Sequence, residues 1–301
     1  MEIRNMLPFN ITYSFIQPLK NLKKKKLYKR LLKGLESSSD EEYRKYASIM
    51  RKTGHLSPFN GEFEKKYDPR DVRVRYDRKN KAYYVNRQIG EDYRRCYFLN
   101  KYMAHTAYNA LLKEQDYMSP HRYFSDLVDN VMKGQGGTIL DLGAAEGFFS
   151  LEYIDRVDKA ILFEPWEVWN PFLKLTFSRF RKKVRIENSF VGEKTDRKNN
   201  IVSIDEYFGD EMPEDIKLIK MDIEGFEQET LRGMKKVLEK NPQAVLLVCS
   251  YHKRNAEKEI REILEPMGYN VAAREGRILY YFDMDLDHPD LRHGVLEAVR
   301  E

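Results

Sequence analysis

The sequence predicts an α/β protein: a doubly wound, Rossmann-like sheet preceded by an N-terminal helical and β-hairpin extension. Three observations carry that expectation. First, short apolar runs alternate with helical patterns from residue 138 onward. Strands are expected at 138–142, 160–164, 184–190, 216–221, 244–250 and 278–283, and helices at 147–156, 166–180, 225–240 and 255–267. Such alternation builds a parallel sheet with helices on both faces. Second, residues 138–150 (TILDLGAAEGFFS) read as a strand, a glycine turn and a helix start. Third, the apolar run Ile216–Met221 ends in an acidic cluster around Gly225. Ligands of open parallel sheets bind at the carboxyl ends of the strands. The last strand, Ile278 to Phe282, is expected to join antiparallel at an edge.

The chain has 301 residues, enough for one large domain plus an extension. The expected division is residues 1–100, a basic helical region plus β-hairpin, and 101–301, the sheet domain. With 42% hydrophobic and 34% charged residues, the chain supports both a real core and a solvated surface. A net charge of +5 is too modest to argue for nucleic acid, which is not an expected partner. Cys96 and Cys249 form no framework, which points to a reducing, cytoplasmic compartment. No run of about 20 apolar residues exists to cross a membrane. Glu2, Pro8, Asn10 and Thr12 make a poor signal peptide.

In residues 19–35, Leu27, Leu31 and Leu35 share a helical face and lysines cover the rest. Two readings stand. The lysines from Lys20 to Lys33 contact an anionic membrane surface, or the helix is solvated and packs its leucines on the protein. Ser37 to Asp40 cap a second helix over 40–52. Gly54, Pro58, Gly61 and Pro69 mark a loop. Val72, Val74 and Tyr76, then Tyr83 and Val85, alternate with polar residues about Asp77–Lys81, a hairpin pattern. A helix is expected over 101–113. Another starts at the N-cap Ser119 with Pro120 in its first turn, and Gly134 ends it. His121 then lies in a first turn, where the helix dipole disfavours its protonated form.

The glycine spacing selects a ligand class. A dinucleotide turn reads G-x-G-x-x-G. Here Asp141, Gly143, Ala144 and Gly147 form D-x-G-x-x-x-G. Glu164, ending the next strand, can accept two hydrogen bonds from a ribose diol. With no phosphate-binding lysine or third glycine, S-adenosylmethionine fits better than NAD. The second constellation is Asp222 and Glu224 with His252, which ends the neighbouring strand. It suits acid–base catalysis or an oxygen-rich metal site; no metal is predicted, and a divalent ion stays an open alternative. A plainer reading makes Glu224 and Glu227 helix-start acids. Lys220, near the end of a buried strand, needs a partner, expected in Asp222 or Glu224.

Together these segments resemble the FkbM family of S-adenosylmethionine-dependent methyltransferases, from about Tyr123 to Tyr281. The carriers are DLGAAEG (141–147), FEPW (163–166), SIDEY (203–207), IKMDIEGFE (219–227), LRG (231–233) and SYHK (250–253). The run around Asp222 is the most specific, and SPHRY (119–123) adds to it. The resemblance implies a seven-stranded class I methyltransferase sheet and methyl transfer to oxygen, typically a sugar or polyketide hydroxyl. It implies that Gly143 and its neighbours hold the methionine end of S-adenosylmethionine and Glu164 the ribose. Asn188 or Ser189 then lies near the adenine. For the acceptor, a sugar or glycan hydroxyl, His252 is the expected base, with His121 or Lys220 in reserve. The rival reading is a non-catalytic methyltransferase-like module in a glycan-assembly complex.

Overall fold

The computed structural model describes residues 13–54, 56–59, 61–281 and 288–300, with side chains from residue 24 onward. The chain divides into two compact units that do not part at residue 100. One holds residues 1–62 and 279–291, the other 63–278 and 292–301.

In the first unit, α1 (Tyr13–Glu36) and α2 (Glu41–Thr53) pack together. Asp40 caps α2 by accepting from the Glu42 N–H at 2.8 Å, and Gly54, left-handed at φ +73°, ends it. Leu27, Leu31 and Leu35 are buried against Tyr46, Ala47, Met50, Leu279 and Leu291. The leucine stripe is therefore covered inside its own unit, as in the solvated-helix reading. Lys24, Lys25, Lys26, Lys29 and Lys33 stand exposed on the other faces. The side chains of Lys20 and Lys23, and the residues Glu2 to Thr12, lie outside the described residues, as does Phe282.

The second unit opens with a small antiparallel sheet, β1 (Val74–Asp77), β2 (Ala82–Ile89) and β3 (Asp92–Phe98). The expected hairpin forms from β1 and β2, and β3 adds a strand that the alternation did not signal. Helix α3 (Lys101–Glu114) follows. The next helix, α4, covers only Asp126–Val131 and is capped by Ser125, whose hydroxyl accepts from the Val128 N–H. Ser119 instead closes a turn, its hydroxyl accepting from the His121 N–H. His121 is thus not in a helical first turn, and no helix dipole acts on it.

The main sheet has seven strands: β4 (Thr138–Leu142), β5 (Lys159–Phe163), β6 (Val184–Glu187), β9 (Ile216–Met221), β10 (Val245–Cys249), β11 (Tyr269–Ala273) and β14 (Val295–Arg300). Between these come β7 (Phe190–Val191) with β8 (Ile201–Val202), and β12 (Ile278–Tyr280) with β13 (Asp290–Arg292), each pair a separate two-stranded ladder. The order is β11-β14-β10-β9-β4-β5-β6. β6, β5, β4, β9 and β10 run parallel, and β14 enters antiparallel between β10 and β11. The antiparallel strand is therefore β14, not the segment from Ile278.

Helices α5 (Phe148–Tyr153), α6 (Asn170–Thr176), α7 (Ile204–Phe208), α8 (Glu227–Arg232), α9 (Lys235–Lys240) and α10 (Ala256–Leu264) fill the connections. The span expected as one helix over 225–240 breaks at Gly233, where a Cβ would fall 2.2 Å from the Gly192 carbonyl oxygen. Sheet side chains divide between two apolar clusters: Ile139, Ala160, Leu162 and Leu218 enter one, Leu140, Ile161, Phe163 and Ile219 the other. Burial on both faces is the signature of a parallel sheet. Every strand end that carries a candidate site residue then opens on the same edge.

Leu31, fully buried, anchors the first unit. Leu31→Ala is expected to cost about 2–5 kcal/mol through the cavity it leaves, measured by denaturant unfolding of the full chain. A loss below about 0.5 kcal/mol would contradict this packing.

Candidate functional site

Strand β4 hands over to α5 through a loop whose geometry demands glycine. Gly143 has φ +80°, and a Cβ there would fall 1.8 Å from the Asp222 carbonyl oxygen. Only a residue without a side chain fits such an approach. Gly147, at φ +79°, would drive a Cβ to within 2.5 Å of the Phe177 ring. The turn is pinned to β5: the Gly143 and Ala144 N–H groups donate to the Phe163 carbonyl at 2.9 and 3.1 Å.

Glu164, just past β5, is buried. Its carboxylate accepts from the Ala145 N–H at 2.7 Å and the Trp166 N–H at 2.9 Å. Each oxygen keeps a second acceptor site. Asn188 and Ser189 follow the end of β6, and the Asn188 side-chain amide lies against the carbonyls of Pro165 and Glu164, to which its nitrogen donates once the amide is turned toward them. The four parts expected to line one cradle (Asp141, the Gly143–Gly147 turn, Glu164 and Asn188–Ser189) thus stand on adjacent strands.

Asp141 belongs to the framework. It pairs across the sheet with Lys220 in register, and parallel register neighbours share a face. Lys220 Nζ lies 3.3 Å from Asp141 Oδ1, both side chains nearly or wholly buried, and also donates to the Gly143 carbonyl. The partner of Lys220 is therefore Asp141, not Asp222 or Glu224. Burial would lower the Lys220 pKa, but Asp141 and Asp222 hold it above its ordinary value, so Lys220 stays charged and is no base. Ser150 donates to the other Asp141 oxygen at 2.7 Å.

Asp222, His252 and Glu224 are brought together as expected. His252 Nε2 lies 3.5 Å from Asp222 Oδ1 and 3.6 Å from Glu224 Oε2. Glu224 reaches that position from a left-handed backbone at φ +56°. A non-glycine residue seldom sits there. Its side chain is 86% exposed, whereas that of His252 is 8% exposed. The Tyr123 hydroxyl donates to Asp222 Oδ2 at 2.5 Å. Burial pushes the Tyr123 phenol up, so it keeps the proton that it donates. Burial also acts to raise Asp222, but the His252 and Lys220 charges hold it at about 2.

Glu227 is a helix-start acid, as the plainer reading has it, and it is also the partner of His252 that the sequence pattern did not signal. It is fully buried and accepts from the Ile223 and Gly225 N–H groups, both at 3.2 Å, and from His252 Nδ1 at 2.9 Å. It holds the turn and fixes the imidazole at once. Burial alone would lower His252, but the Glu227 bond and the charges of Asp222, Glu227 and Glu224 raise it to about 9. His252 is thus a cation at neutral pH in this state, contrary to a ready base. His121, buried beside Cys249 and 3.6 Å from Asp222, is pushed by burial to about 4 and is neutral.

Two further acids face the site. Glu114, at the end of α3, is raised to about 8 by burial and by Asp222, Glu146 and Glu224. Glu146, in the glycine turn, is raised to about 7, first by burial and then by Asp141 and Glu164. Raised carboxyls clustered at strand ends mark a place where positive charge is wanted. Glu114 carries no local sequence signal, because only the fold brings α3 to this edge. A cleft of ≈590 Å³, lined by Tyr67, Arg73, Arg75 and Tyr93 among others, lies elsewhere and contains none of these residues.

A doubly wound sheet with a glycine turn after β4, an acid after β5 and an acid cluster after β9 defines a class I methyltransferase type of fold. Residues 141–271 match the family model described as the methyltransferase FkbM domain. That span lies within the 123–281 stretch of the motifs. No curated protein matches. Among solved structures, the chain is similar to a methyltransferase FkbM from Methylobacillus flagellatus KT, at 16% identity and a TM-score of 0.44, over 94% of this chain and 60% of that one. It is also similar to a precorrin-6y C5,15-methyltransferase from Geobacter metallireducens GS-15, at 14% identity and a TM-score of 0.39, over 58% and 86% of the two chains. A third is SMU.1697c from Streptococcus mutans, solved in complex with S-adenosylhomocysteine, at 13% identity and a TM-score of 0.36, over 57% and 96%. The chain spans less than two thirds of the first of these.

Two outcomes check the electrostatics. NMR titration of the imidazoles is expected to show His252 protonated until about pH 9 and His121 neutral down to about pH 4; His252 titrating near its ordinary 6.5 contradicts the carboxylate cage. Lys220→Ala leaves Asp141 buried and unpaired, and is expected to cost about 3–5 kcal/mol in unfolding free energy. A neutral result contradicts the pairing.

Proposed function

We propose that the protein transfers a methyl group from S-adenosylmethionine to a hydroxyl oxygen of a sugar or glycan-type acceptor. One observation carries this reading: Gly143 abuts the backbone of Asp222, so the donor cradle and the acid–imidazole cluster are a single site. The residues present fit the donor. Gly143 lets the turn pack directly against the Asp222 backbone, where a Cβ would clash. Glu164 has acceptor capacity for a ribose diol, and Asn188–Ser189 lie at the end of the adjacent strand. Glu114 and Glu146, raised to about 8 and 7, supply negative charge to a cationic ligand when ionised.

When bound, S-adenosylmethionine supplies an already activated methyl group. The chain's own work is alignment, which brings the acceptor oxygen in line with the carbon–sulfur bond. The acceptor hydroxyl sits against Asp222 and Glu224, whose carboxylates accept its hydrogen bond. His252 acts as base only after it has lost its own proton. Without any other cation at the cluster, kcat/KM is therefore expected to rise with pH toward about 9.

The experiment is methyl transfer from labelled S-adenosylmethionine to a panel of nucleotide sugars and glycan fragments. Calorimetry of S-adenosylhomocysteine runs beside it. Gly143→Ala is expected to abolish binding of S-adenosylhomocysteine. Asp222→Asn and His252→Ala are expected to remove turnover while binding is kept. Equal loss of both properties in the last two variants contradicts the acceptor-side assignment. Absence of any binding by the unaltered protein favours a non-catalytic module.

S-adenosylmethionine binding gives a further check. Its positive charge favours the ionised forms of Glu114 and Glu146, which are raised to about 8 and 7. Affinity is expected to increase as pH rises from 6 to 8.5, with proton release read by calorimetry in two buffers. An affinity that does not change with pH contradicts the placement of these acids at the donor.

A further inference from the structure

We infer that the cleft between the small antiparallel sheet and α3 binds an acidic saccharide, with Arg73 and Arg75 at its charge, Tyr93 at its ring face and Asn109 at its hydroxyls. The binding site stands on its own residues, and its use as an anchor for the methyl acceptor rests on the function proposed above.

The cleft has a volume of ≈590 Å³, a size that encloses a small ligand. Arg73 and Arg75 line it. They stand two residues apart at the start of β1, a spacing that puts side chains on one face of an extended chain. Among the described residues, neither has a carboxylate partner. By contrast, Arg70 holds Asp68, Arg87 holds Glu152, Arg94 holds Asp155 and Arg95 holds Asp77. Lys66, also in the wall, reaches Asp116 at 3.3 Å. The uncommitted charges of the wall are then two arginines against Asp71, a net positive balance. A guanidinium matches a carboxylate or phosphate with two parallel N–H donors.

The other walls select the rest of the ligand. Asn109, on α3, lines the cleft and is 4% exposed. Its side-chain oxygen is buried and has no hydrogen-bond partner among the described residues. Such an atom is rarely left unmatched in a folded protein, and a saccharide hydroxyl supplies the missing donor. Tyr93, on β3, lines the same cleft and is 60% exposed. Its ring offers an apolar face beside a polar tip, which suits the C–H face of a sugar. A flat apolar ligand would leave the arginines and Asn109 unmatched, and a bare inorganic anion would leave Tyr93 uncovered. Helix α3 links the cleft to the methyl-transfer site. Asn109 stands in the cleft wall, and Glu114, about 7.5 Å further along the helix axis, lies in the field of Asp222 and Glu224. An oligosaccharide anchored in the cleft can thus extend toward the reacting site.

The test titrates the full chain by calorimetry with uronic-acid, sialylated and phosphorylated trisaccharides, with the neutral counterpart of each, and with inorganic phosphate. One acidic trisaccharide per chain is expected. Affinity should fall roughly tenfold or more for the neutral counterpart and in the double variant Arg73→Gln, Arg75→Gln. Tyr93→Ala should weaken binding and Tyr93→Phe should keep it, because the ring face is the contact. Both arginines are exposed, so the double variant keeps the fold, checked by its unfolding midpoint. No binding of any acidic trisaccharide, or equal affinity for the neutral counterpart or in the double variant, overturns the inference. Inorganic phosphate binding as tightly as the saccharides overturns it too, since that marks a plain anion site. Calorimetry of S-adenosylhomocysteine on the same preparation separates the two readings. Nucleotide binding without saccharide binding overturns the cleft site and leaves methyl transfer standing. Saccharide binding without nucleotide binding does the reverse.

Discussion

The close approach of two backbones, Gly143 on the turn after β4 and Asp222 after β9, is the constraint on which the site depends. β4 and β9 are parallel neighbours in register, so their ends arrive together. With hydrogen alone on the Gly143 α-carbon, the two turns meet in van der Waals contact. That contact turns two separate strand-end features into one site, with the cradle on one side and acids on the other. A parallel sheet with both faces buried holds such strand ends rigidly, because neither face can relax without opening the core.

Charge is the second organising element. Asp141 and Lys220 satisfy each other inside the sheet, directly beneath the turn. Above them, Asp222, Glu224 and Glu227 gather around one imidazole, with Glu114 and Glu146 facing the same space. Burial and mutual repulsion raise Glu114, Glu146 and Glu164, while Glu227, Asp222 and Glu224 hold a proton on His252. Such an arrangement is unfavourable for an empty pocket and favourable for positively charged guests. A sulfonium donor is a guest of that kind.

Much of this was legible in the residues. The strand–glycine–helix pattern at 138–150, the acid at 164 and the run through Asp222 each depend on local sequence, and the structure brings them to one edge. What was not legible depends on register and on distant packing. The partner of Lys220 follows from strand order, which places Asp141 beside it. Helix starts moved because Ser125, not Ser119, supplies the cap. β14 was missed because it sits far along the chain and inserts between β10 and β11. The double duty of Glu227 shows only when the β10 end brings His252 alongside. The protonation of His252 was misread for the same reason: no local pattern reports how many carboxylates surround an imidazole.

The central claim is that donor cradle and acid–imidazole cluster form one site. NMR titration of His252 in the free protein and with saturating S-adenosylmethionine or S-adenosylhomocysteine tests it most directly. A sulfonium beside the cluster disfavours the imidazolium, so the account predicts that S-adenosylmethionine lowers the His252 pKa from about 9. The uncharged sulfur of S-adenosylhomocysteine is predicted to lower it less. A His252 titration unchanged by bound S-adenosylmethionine would contradict the account.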